Sequence, residues 1–277
     1  MKQKEMKWVS YDGLPLFAQR WEPDGDIKGV ICLVHGLGEH SGRYVHWADR
    51  FNNAGYAVVS FDLRGHGRSG GQRGDTPSFD HFADDISILL EKTKEMYPAI
   101  PAFIYGHSLG GMLVLFYLIQ RQPDLKGAVV TSPGLRTMID QQKAKVAAVK
   151  ILGILLPKVS IPNGLDLEGL ARDERVIEDY KNDPLVHDRV SLRMGKGMIE
   201  TIEFIFKNAA MIKIPLLLLH GGDDRICYAS GSEELASLMD DNCSLKLFKE
   251  CYHELHNEPE KEDVFNFLIE WLNSQNQ

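Results

Sequence analysis

The stretch FIYGHSLGGMLVLFYLI, residues 103–119, combines a short apolar run, a turn bounded by glycines and a long apolar run. Residues 103–105 are typical of a buried strand, and residues 109–119 favour a helix. The turn between them fits the pattern G-x-S-x-G with Ser108 at its centre. A strand, a tight turn and a helix in this order predict a parallel α/β sheet, with the hydroxyl of Ser108 at its carboxyl edge.

A second match to G-x-S-x-G is centred on Ser69 and has a different context. Residues 62–66 separate it from the nearest apolar run, and the polar residues 72–75 follow it. A nucleophilic serine needs a strand on one side of its turn and a helix on the other. We therefore predict that residues 67–71 form a glycine-rich surface loop, and that any serine chemistry uses Ser108.

Further apolar runs are typical of parallel strands that are covered on both faces. They are residues 29–36, 57–63, 101–106, 127–132 and 214–221, with 244–249 as one more strand. The rough alternation of residues 8–22 predicts an antiparallel hairpin. Helical patterns cover residues 75–98, 109–123 and 258–274. The sequence therefore predicts a mostly parallel central sheet with helices on both faces.

One long segment interrupts this alternation, and we expect no strand in it. It contains a helical pattern at residues 138–157, apolar in its second half, then a polar stretch and a second helical pattern at residues 194–210. It is too long for an unstructured loop in a compact domain. We predict a core in two parts, residues 1–134 and 209–277, with residues 135–208 inserted between them as a helical cap.

A serine nucleophile needs an imidazole to accept its proton and an anion to orient that imidazole. In this structural context the partners follow in the order Ser, Asp or Glu, His, on loops after later strands. The loop after IPLLLLH carries Asp223 and Asp224, and the loop after SLKLFK carries His253 and His256. Spacing alone leaves both pairs open.

An oxyanion hole is the third requirement, and it normally uses two backbone N–H groups. One belongs to the residue after the nucleophile, here Leu109. The other is expected in the glycine-rich turn HGLGEHSGRY (35–44), where Leu37 is the natural donor. We expect His35 to support this turn rather than to react.

Composition limits the classes of partner. The 31 Lys and Arg against 39 Asp and Glu give a formal net charge of −8, which argues against binding to nucleic acid. The four cysteines, Cys32, Cys227, Cys243 and Cys251, form no C-x-x-C pair, which argues against zinc. No metal or organic cofactor is implied. The sequence shows no secretory signal and no apolar run of membrane-spanning length, so we expect a cytoplasmic protein with reduced thiols.

Six motifs together resemble those of one protein family. They are HGLGEHSGRY (35–44), FDLRGHGRSGG (61–71), GHSLGG (106–111), DPL (183–185), HGGDDRIC (220–227) and YHELHNE (252–258). In this order they are similar to the monoacylglycerol lipase and lysophospholipase branch of the α/β-hydrolases. The resemblance runs from about Trp8 to the last helix and implies the α/β-hydrolase fold, with a cap between the sixth and seventh strands of the sheet.

The resemblance also selects between the open pairs. The family's acid lies in G-x-x-D-R, which implies Asp224, and its base follows the aromatic of Y-H-x-L, which implies His253. His256 would then be a supporting or entrance residue. Cys227 matches a cysteine found in some members. It lies three residues after Asp224, so its modification could perturb the site, although passive packing is the favoured interpretation. FDLRGHGRSGG is a structural loop in the family, in agreement with the assignment of Ser69.

The resemblance implies a serine hydrolase that cleaves the carboxylic ester of single-chain lipids, monoacylglycerol in particular, through an acyl-enzyme on Ser108. The alternatives are a lysophospholipase, a general carboxylesterase for short soluble esters and, remotely, a non-catalytic hydrolase-like binding module. Ile151, Leu152 and Leu155 are cap candidates for lining an acyl tunnel and for transient contact with a membrane or micelle surface. Plain packing of the cap on the core is the competing interpretation. Acyl length, head group and oligomeric state are not predicted.

Overall fold

The computed structural model describes residues 1–276, with every side chain except those of Asp140 and Gln141. Strands and helices alternate along most of the chain. In order they are β1 (Lys2–Val9), β2 (Pro15–Glu22), β3 (Gly29–Val34), α1 (Val45–Asn53), β4 (Tyr56–Phe61), α2 (Phe79–Met96), β5 (Ala102–His107), α3 (Leu109–Arg121), β6 (Gly127–Thr131), α4 (Lys143–Leu155), β7 (Ser160–Pro162), α5 (Glu174–Asn182), β8 (Arg189–Ser191), α6 (Leu192–Asn208), β9 (Leu216–Gly221), α7 (Ala229–Ser237), β10 (Cys243–Phe248) and α8 (Lys261–Gln275).

Eight of these strands form one central sheet in the order β1-β2-β4-β3-β5-β6-β9-β10. β1 and β2 form an antiparallel hairpin, and β2 also pairs antiparallel with β4. The other neighbours in this sheet are parallel. The predicted hairpin and the predicted mostly parallel sheet are confirmed. Because the carboxyl ends of parallel strands meet at one edge, the loops after β3, β5, β9 and β10 lie on the same side of the molecule.

The sheet is covered on both faces, which explains why its central strands are continuous apolar runs. Every residue of β3 and of β4 is buried. Val30 and Cys32 belong to the core that contains the buried faces of α2, α3 and α6, whereas Ile31 belongs to the core formed with α1 and α8. Alternate residues of one strand therefore pack into opposite layers, and the rare polar side chain in these strands is hydrogen-bonded, as the Ser60 Oγ is to the Leu33 carbonyl.

The segment between β6 and β9 contains more structure than the sequence predicted. β7 and β8 pair antiparallel as a separate two-stranded sheet, so the expectation of no strand here is wrong. Strands of three residues are too short to show an alternating pattern. The polar stretch also forms α5, whose buried side is only Ile177 and Tyr180. The division at residues 135 and 208 stays a prediction, and Gln277 lies outside the described residues.

Helix α4 presents its apolar side chains to solvent. Ile154 and Leu155 are each 68% exposed, and Gly153 is the buried residue of the helix. A Cβ atom at Gly153 would lie 2.8 Å from the Leu192 carbonyl oxygen, so α4 packs against α6 through backbone rather than through its leucines. Within residues 1–276, no helix is both long and apolar enough to cross a membrane.

The turn between β5 and α3 depends on close backbone contacts. A Cβ atom at Gly106 would lie 2.5 Å from the Gly110 carbonyl oxygen. A Cβ atom at Gly110 would lie 2.5 Å from the His35 carbonyl oxygen and even closer to that of Val34. The glycines therefore let the start of α3 rest directly on the end of β3.

We predict that Gly110→Ala destabilises the protein by about 1–3 kcal/mol, because the added methyl group must push apart two backbone segments. The gain in helix propensity from alanine is smaller than this cost. Urea denaturation gives the free energy of unfolding. Gly25→Ala is the matched control, because a Cβ atom there has no neighbour within 4 Å. An unchanged unfolding free energy for Gly110→Ala would contradict the packing argument.

Candidate active site

Ser108 occupies the turn between β5 and α3 with a backbone conformation that is rare for a residue with a side chain. Its φ is 55° and its ψ is −117°. The strained turn is held on both sides, because the Ser108 N–H donates to the Thr131 carbonyl and the Ser108 carbonyl accepts from the Met112 N–H. Such strain persists only where the surroundings enforce it. Here it turns the side chain out of the sheet edge, and Ser108 is partly exposed.

Three residues from three loops meet at this point. The His253 Nε2 lies 2.9 Å from the Ser108 Oγ, and the His253 Nδ1 lies 2.7 Å from the Asp224 Oδ2. Asp223, in contrast, is exposed. The structure thus brings together the residues that the family resemblance selected, in the geometry of nucleophile, base and orienting acid. Their catalytic role stays a prediction.

The carboxylate of Asp224 is buried and fully engaged. Its Oδ1 accepts from the N–H groups of Ile226 and Cys227 at 2.8 and 2.9 Å. Its Oδ2 also lies 3.2 Å from the Nε2 of His220. Burial favours the protonated carboxyl, but the charge of His253 and the hydrogen bonds from both imidazoles hold the pKa of Asp224 well below its ordinary value. Asp224 is therefore an anion at neutral pH.

The imidazole of His253 is held in place from its backbone as well as from its ring. The Ser132 Oγ donates to the His253 carbonyl at 2.8 Å, and the His253 N–H donates to the Gly169 carbonyl at 3.3 Å. Burial alone would lower the pKa of His253, but the Asp224 carboxylate, together with the charges of Glu254 and Glu39, outweighs burial and raises it. The ring is thus suited to accepting a proton from Ser108.

Of the two predicted oxyanion donors, Leu109 directly follows Ser108 in the chain, and Leu37 belongs to a loop that lies against Ser108. Neither the Leu37 nor the Leu109 N–H donates a hydrogen bond to any residue of the described chain. The loop of Leu37 is close, because a Cβ atom at Gly36 would lie 3.2 Å from the Ser108 Cβ. Two free N–H groups beside a nucleophile are what an oxyanion requires. The assignment of both donors stays a prediction.

The loop that carries Leu37 is fixed from two sides. The Gly36 N–H donates to Glu39 Oε1 at 2.6 Å, and the Gly38 carbonyl accepts from the N–H of His187 at 2.9 Å. His187 belongs to the segment between β6 and β9. The Nε2 of His35 accepts from the Leu63 N–H at 2.9 Å, in agreement with a supporting rather than a reactive role. Core and insertion therefore both hold the loop.

Residues 67–71 form a loop in which Arg68 and Gly71 are exposed, as predicted, but the side chain of Ser69 itself is buried. It is 7% exposed; its Oγ donates to the Asp62 carbonyl at 2.5 Å and accepts from the Phe17 N–H at 2.9 Å. The glycines around it let the loop fold back against β2, where the hydroxyl satisfies two backbone groups. Ser69 thus has a structural place, and no imidazole is hydrogen-bonded to it within residues 1–276.

His256 is 1% exposed and does not lie at an entrance. Its ring stacks on Tyr44, with 4.8 Å between ring centroids, and meets His107 edge-on at 5.0 Å. His107 in turn packs against His253 at 4.8 Å. Burial lowers the pKa of His107 to about 3 and that of His256 well below its ordinary value, so both rings are neutral. They form an uncharged support behind His253.

The other sequence expectations concern residues at the margin of the site. Cys227 is buried, and its carbonyl accepts from the His220 Nε2 at 2.8 Å. The predicted cap candidates Ile151 and Leu152 are 59% and 37% exposed, and Leu155 is also exposed. Contact from the outer surface thus agrees better with these three side chains than an enclosed tunnel does. Their role in substrate binding stays a prediction.

Sequence reasoning missed several charged and polar residues that support the site. Arg43 donates to both Glu39 and Glu254, and Glu254 directly follows His253. His220 and Ser132 were also not singled out. Except for Ser132, which ends the apolar run 127–132, they lie inside the family motifs, so membership of those motifs was the available signal. Membership of a motif does not reveal which side chain points inward.

A single group of metal-ligand residue types clusters within the described part of the chain. It consists of Cys251, Glu258 and Glu260. Both carboxylates already bind the guanidinium of Arg172. A cation at this position would have to displace that guanidinium, so the group is better explained as an ion-pair cluster.

Comparison with known proteins agrees with this geometry. The family model described as Serine aminopeptidase, S33 matches residues 25–260. A monoacylglycerol lipase of Mycolicibacterium smegmatis is 33% identical over 272 residues, which is 98% of this chain and 97% of that protein. The phospholipase YtpA of Bacillus subtilis is 33% identical over 248 residues, 88% of this chain and 95% of that protein.

The likeness extends to three dimensions. The crystal structure of a monoacylglycerol lipase from Paleococcus ferrophilus is 35% identical, with a TM-score of 0.84 over 99% of this chain and 100% of that one. At the level of sequence, an uncharacterized abhydrolase domain-containing protein of Dictyostelium discoideum is 37% identical over 95% of this chain. That protein is longer, and the match covers 28% of it. The predicted α/β-hydrolase fold and the family resemblance are confirmed.

We predict that Asp224→Asn lowers the rate of attack by Ser108 by about four orders of magnitude, because the amide favours the wrong tautomer of His253. The measurement is the rate at which a fluorophosphonate labels Ser108. Asp223→Asn is the matched control, since Asp223 is adjacent and exposed, and its labelling rate is expected to stay near that of the unmodified protein. Equal losses in both variants would contradict the assignment of Asp224.

Proposed function

The chain belongs to the serine hydrolase family described as Serine aminopeptidase, S33, and on that premise we propose that it hydrolyses monoacylglycerols to glycerol and free fatty acid. The protein is an ester hydrolase. The observation that carries the proposal is the continuous hydrogen-bonded set of Ser108, His253 and Asp224 beside two free backbone N–H groups. Full-length relatives named monoacylglycerol lipase support the choice of substrate.

In the proposed acylation step, the Ser108 Oγ attacks the ester carbonyl carbon while His253 Nε2 accepts the hydroxyl proton. The Leu37 and Leu109 N–H groups bind the oxyanion that forms, and one such donor is typically worth about 3–4 kcal/mol of barrier. The imidazolium then protonates the leaving glycerol oxygen as the bond from carbon to that oxygen breaks. The fatty acyl group is left as an ester on Ser108.

Deacylation repeats the same steps with water as the nucleophile. His253 accepts a proton from water, and the resulting hydroxide attacks the acyl-enzyme carbonyl. The proton then returns to the Ser108 Oγ as the fatty acid leaves. Asp224 stays ionised throughout and stabilises the imidazolium in both steps.

The inserted segment between β6 and β9 contacts the loop beside Ser108, so it is placed to influence which substrates reach the site. We propose that residues 135–208 act as a cap that selects substrates and that Ile151, Leu152 and Leu155 meet the acyl chain at the surface of the lipid phase.

Phospholipid is the second candidate substrate class, favoured by the likeness to the phospholipase YtpA over 88% of this chain. A general carboxylesterase for short soluble esters would use the same triad. A non-catalytic binding module does not need a complete hydrogen-bonded triad, which argues against that alternative.

The substrate proposal is tested by the hydrolysis of 1-monoacylglycerols of increasing acyl length. Lysophosphatidylcholine and a short p-nitrophenyl ester are compared in parallel, with Ser108→Ala as the control variant. We expect the highest kcat/KM on medium or long monoacylglycerols and complete loss of turnover in Ser108→Ala. A preference for the lysophospholipid would favour the phospholipase alternative. Turnover confined to the short ester would overturn the lipid proposal.

We also propose that the exposed apolar side of α4 contacts the surface of membranes or micelles. Leu156 and Val159, which follow the end of α4 and are 49% and 45% exposed, extend this apolar surface. An apolar patch of this kind on one helix binds the boundary between head groups and acyl chains.

We predict that the double variant Ile154→Ser and Leu155→Ser lowers partition onto phosphatidylcholine vesicles by about tenfold or more, because it removes two large apolar side chains from the contact. Co-sedimentation with vesicles gives the partition coefficient. Leu238→Ser is the matched control, since Leu238 is 45% exposed and lies beyond the end of α7. Equal partition of the double variant and the control would refute the membrane contact, while turnover of the short ester should be unchanged in both.

A further inference from the structure

A buried bridge of three charged side chains joins two loops of the site. The Arg43 Nη1 donates to Glu39 Oε2 at 2.7 Å and to Glu254 Oε1 at 2.7 Å, and its Nη2 donates to Glu254 Oε2 at 2.9 Å. Glu39 and Glu254 are 3% and 2% exposed. Two parallel N–H donors on one carboxylate fix both distance and orientation, which a lysine could not do.

Each end of the bridge is attached to a loop that the proposed mechanism uses. The second oxygen of Glu39 accepts the Gly36 N–H at 2.6 Å, directly before Leu37. At the other end, Glu254 directly follows His253, and its own N–H donates to the Leu170 carbonyl at 2.7 Å. A movement of the Arg43 guanidinium would therefore change the position of the oxyanion donor relative to the base.

The bridge is covered by the segment between β6 and β9. The Arg43 guanidinium lies 4.7 Å from the centre of the Tyr180 ring, and Tyr180 is buried on α5. An aromatic ring on a guanidinium excludes water from that face. The charges of the bridge are thus poorly screened, and their field reaches His253.

Two carboxylates share one guanidinium, so the bridge carries a net charge of −1. His253 is faced by Asp224 from the loop after β9, by the neutral ring of His107 from the end of β5, and by the bridge residues. His220 and His256 lie behind Asp224 and His107. After Asp224, the charges of Glu254 and Glu39 act in the same direction and raise the pKa of His253. The bridge is therefore a second anionic group beside the base.

We propose that Arg43 is a positioning residue that sets the distance between the Leu37 amide and His253, and that the Glu39–Arg43–Glu254 bridge stabilises the His253 imidazolium during ester hydrolysis. This inference rests on the proposed function, because it assumes that His253 is the base. The bridge is proposed to act through its charge and through the positions that it fixes. Two substitutions test these effects separately, because one removes a negative charge and the other keeps the charge but changes the hydrogen-bonding geometry.

Glu254→Gln tests the charge. The amide keeps the size of the side chain and one acceptor for Arg43 but removes the negative charge. Because that charge raises the pKa of His253, and because the base acts when neutral, the acid limb of kcat/KM is expected to shift to lower pH. We expect kcat on the short p-nitrophenyl ester to fall on the order of tenfold, because the imidazolium in the transition state loses stabilisation.

Arg43→Lys tests the geometry. The ammonium keeps the positive charge but cannot hold both oxygens of Glu254 and one of Glu39 in a planar arrangement. We expect kcat to fall on the order of tenfold to 100-fold with KM nearly unchanged, because a small misplacement of catalytic groups is costly. The acid limb should stay where it is in the unmodified protein.

The matched control is Arg50→Lys. Arg50 also forms a two-point ion pair, with Glu262 at 2.5 and 2.6 Å, but Glu262 is 65% exposed. Titration of Ser108 with a fluorophosphonate corrects every rate for the fraction of folded protein, so a variant that merely unfolds does not mimic the expected result. We expect Arg50→Lys to match the unmodified protein in kcat and in pH profile.

Two outcomes would overturn the inference. If Ser108-dependent turnover is present but Glu254→Gln and Arg43→Lys both behave like Arg50→Lys after correction, the bridge has no role and the proposed function stands. If the unmodified protein shows neither turnover nor labelling that is lost in Ser108→Ala, the proposed function fails and the inference fails with it.

Discussion

The backbone of Ser108 is held at a φ of 55°, and the rest of the site follows from that constraint. A left-handed residue with a side chain is unfavourable by itself and must be held by its neighbours. The turn is kept by Thr131 on the next strand and by glycines that let α3 rest on the end of β3. The same contact brings the Gly36 loop against Ser108. One strained residue thus defines the position of the hydroxyl and of the loop that faces it.

The overall architecture could be predicted because it depends on burial. Parallel strands covered on both faces are largely apolar, and this pattern identified the parallel strands of the central sheet to within about two residues at each end. The hairpin was identified from its alternation, which revealed only the last part of β1. The two strands of the insertion could not be predicted, since three residues do not establish a period. The glycines around Ser69 correctly indicated a loop at the surface, but they did not indicate that the Ser69 side chain is buried. Its burial depends on a hydrogen bond to a strand that is distant in the sequence.

The candidate site was predictable to the level of loops and, from residues alone, no further. Asp223 and Asp224 are adjacent, and so only the path of the backbone decides which carboxylate points inward. The backbone directs the Asp224 carboxylate inward, where it accepts hydrogen bonds from the N–H groups of Ile226 and Cys227. The choice between His253 and His256 has the same origin. Family resemblance selected one member of each pair, but the supporting charges of Arg43 and Glu254 are contacts over 211 residues of sequence and leave no local pattern.

The hydrogen bond from the His187 N–H to the Gly38 carbonyl has a consequence for how such proteins diversify. It makes the inserted segment a structural part of the loop that faces the nucleophile. A different inserted segment would either keep this bond or lose it, and its loss would release one of the two contacts that fix the loop facing Ser108. Because the donor is a backbone N–H, any residue except proline at position 187 can keep the bond, so the constraint falls on the path of the inserted backbone rather than on its side chains.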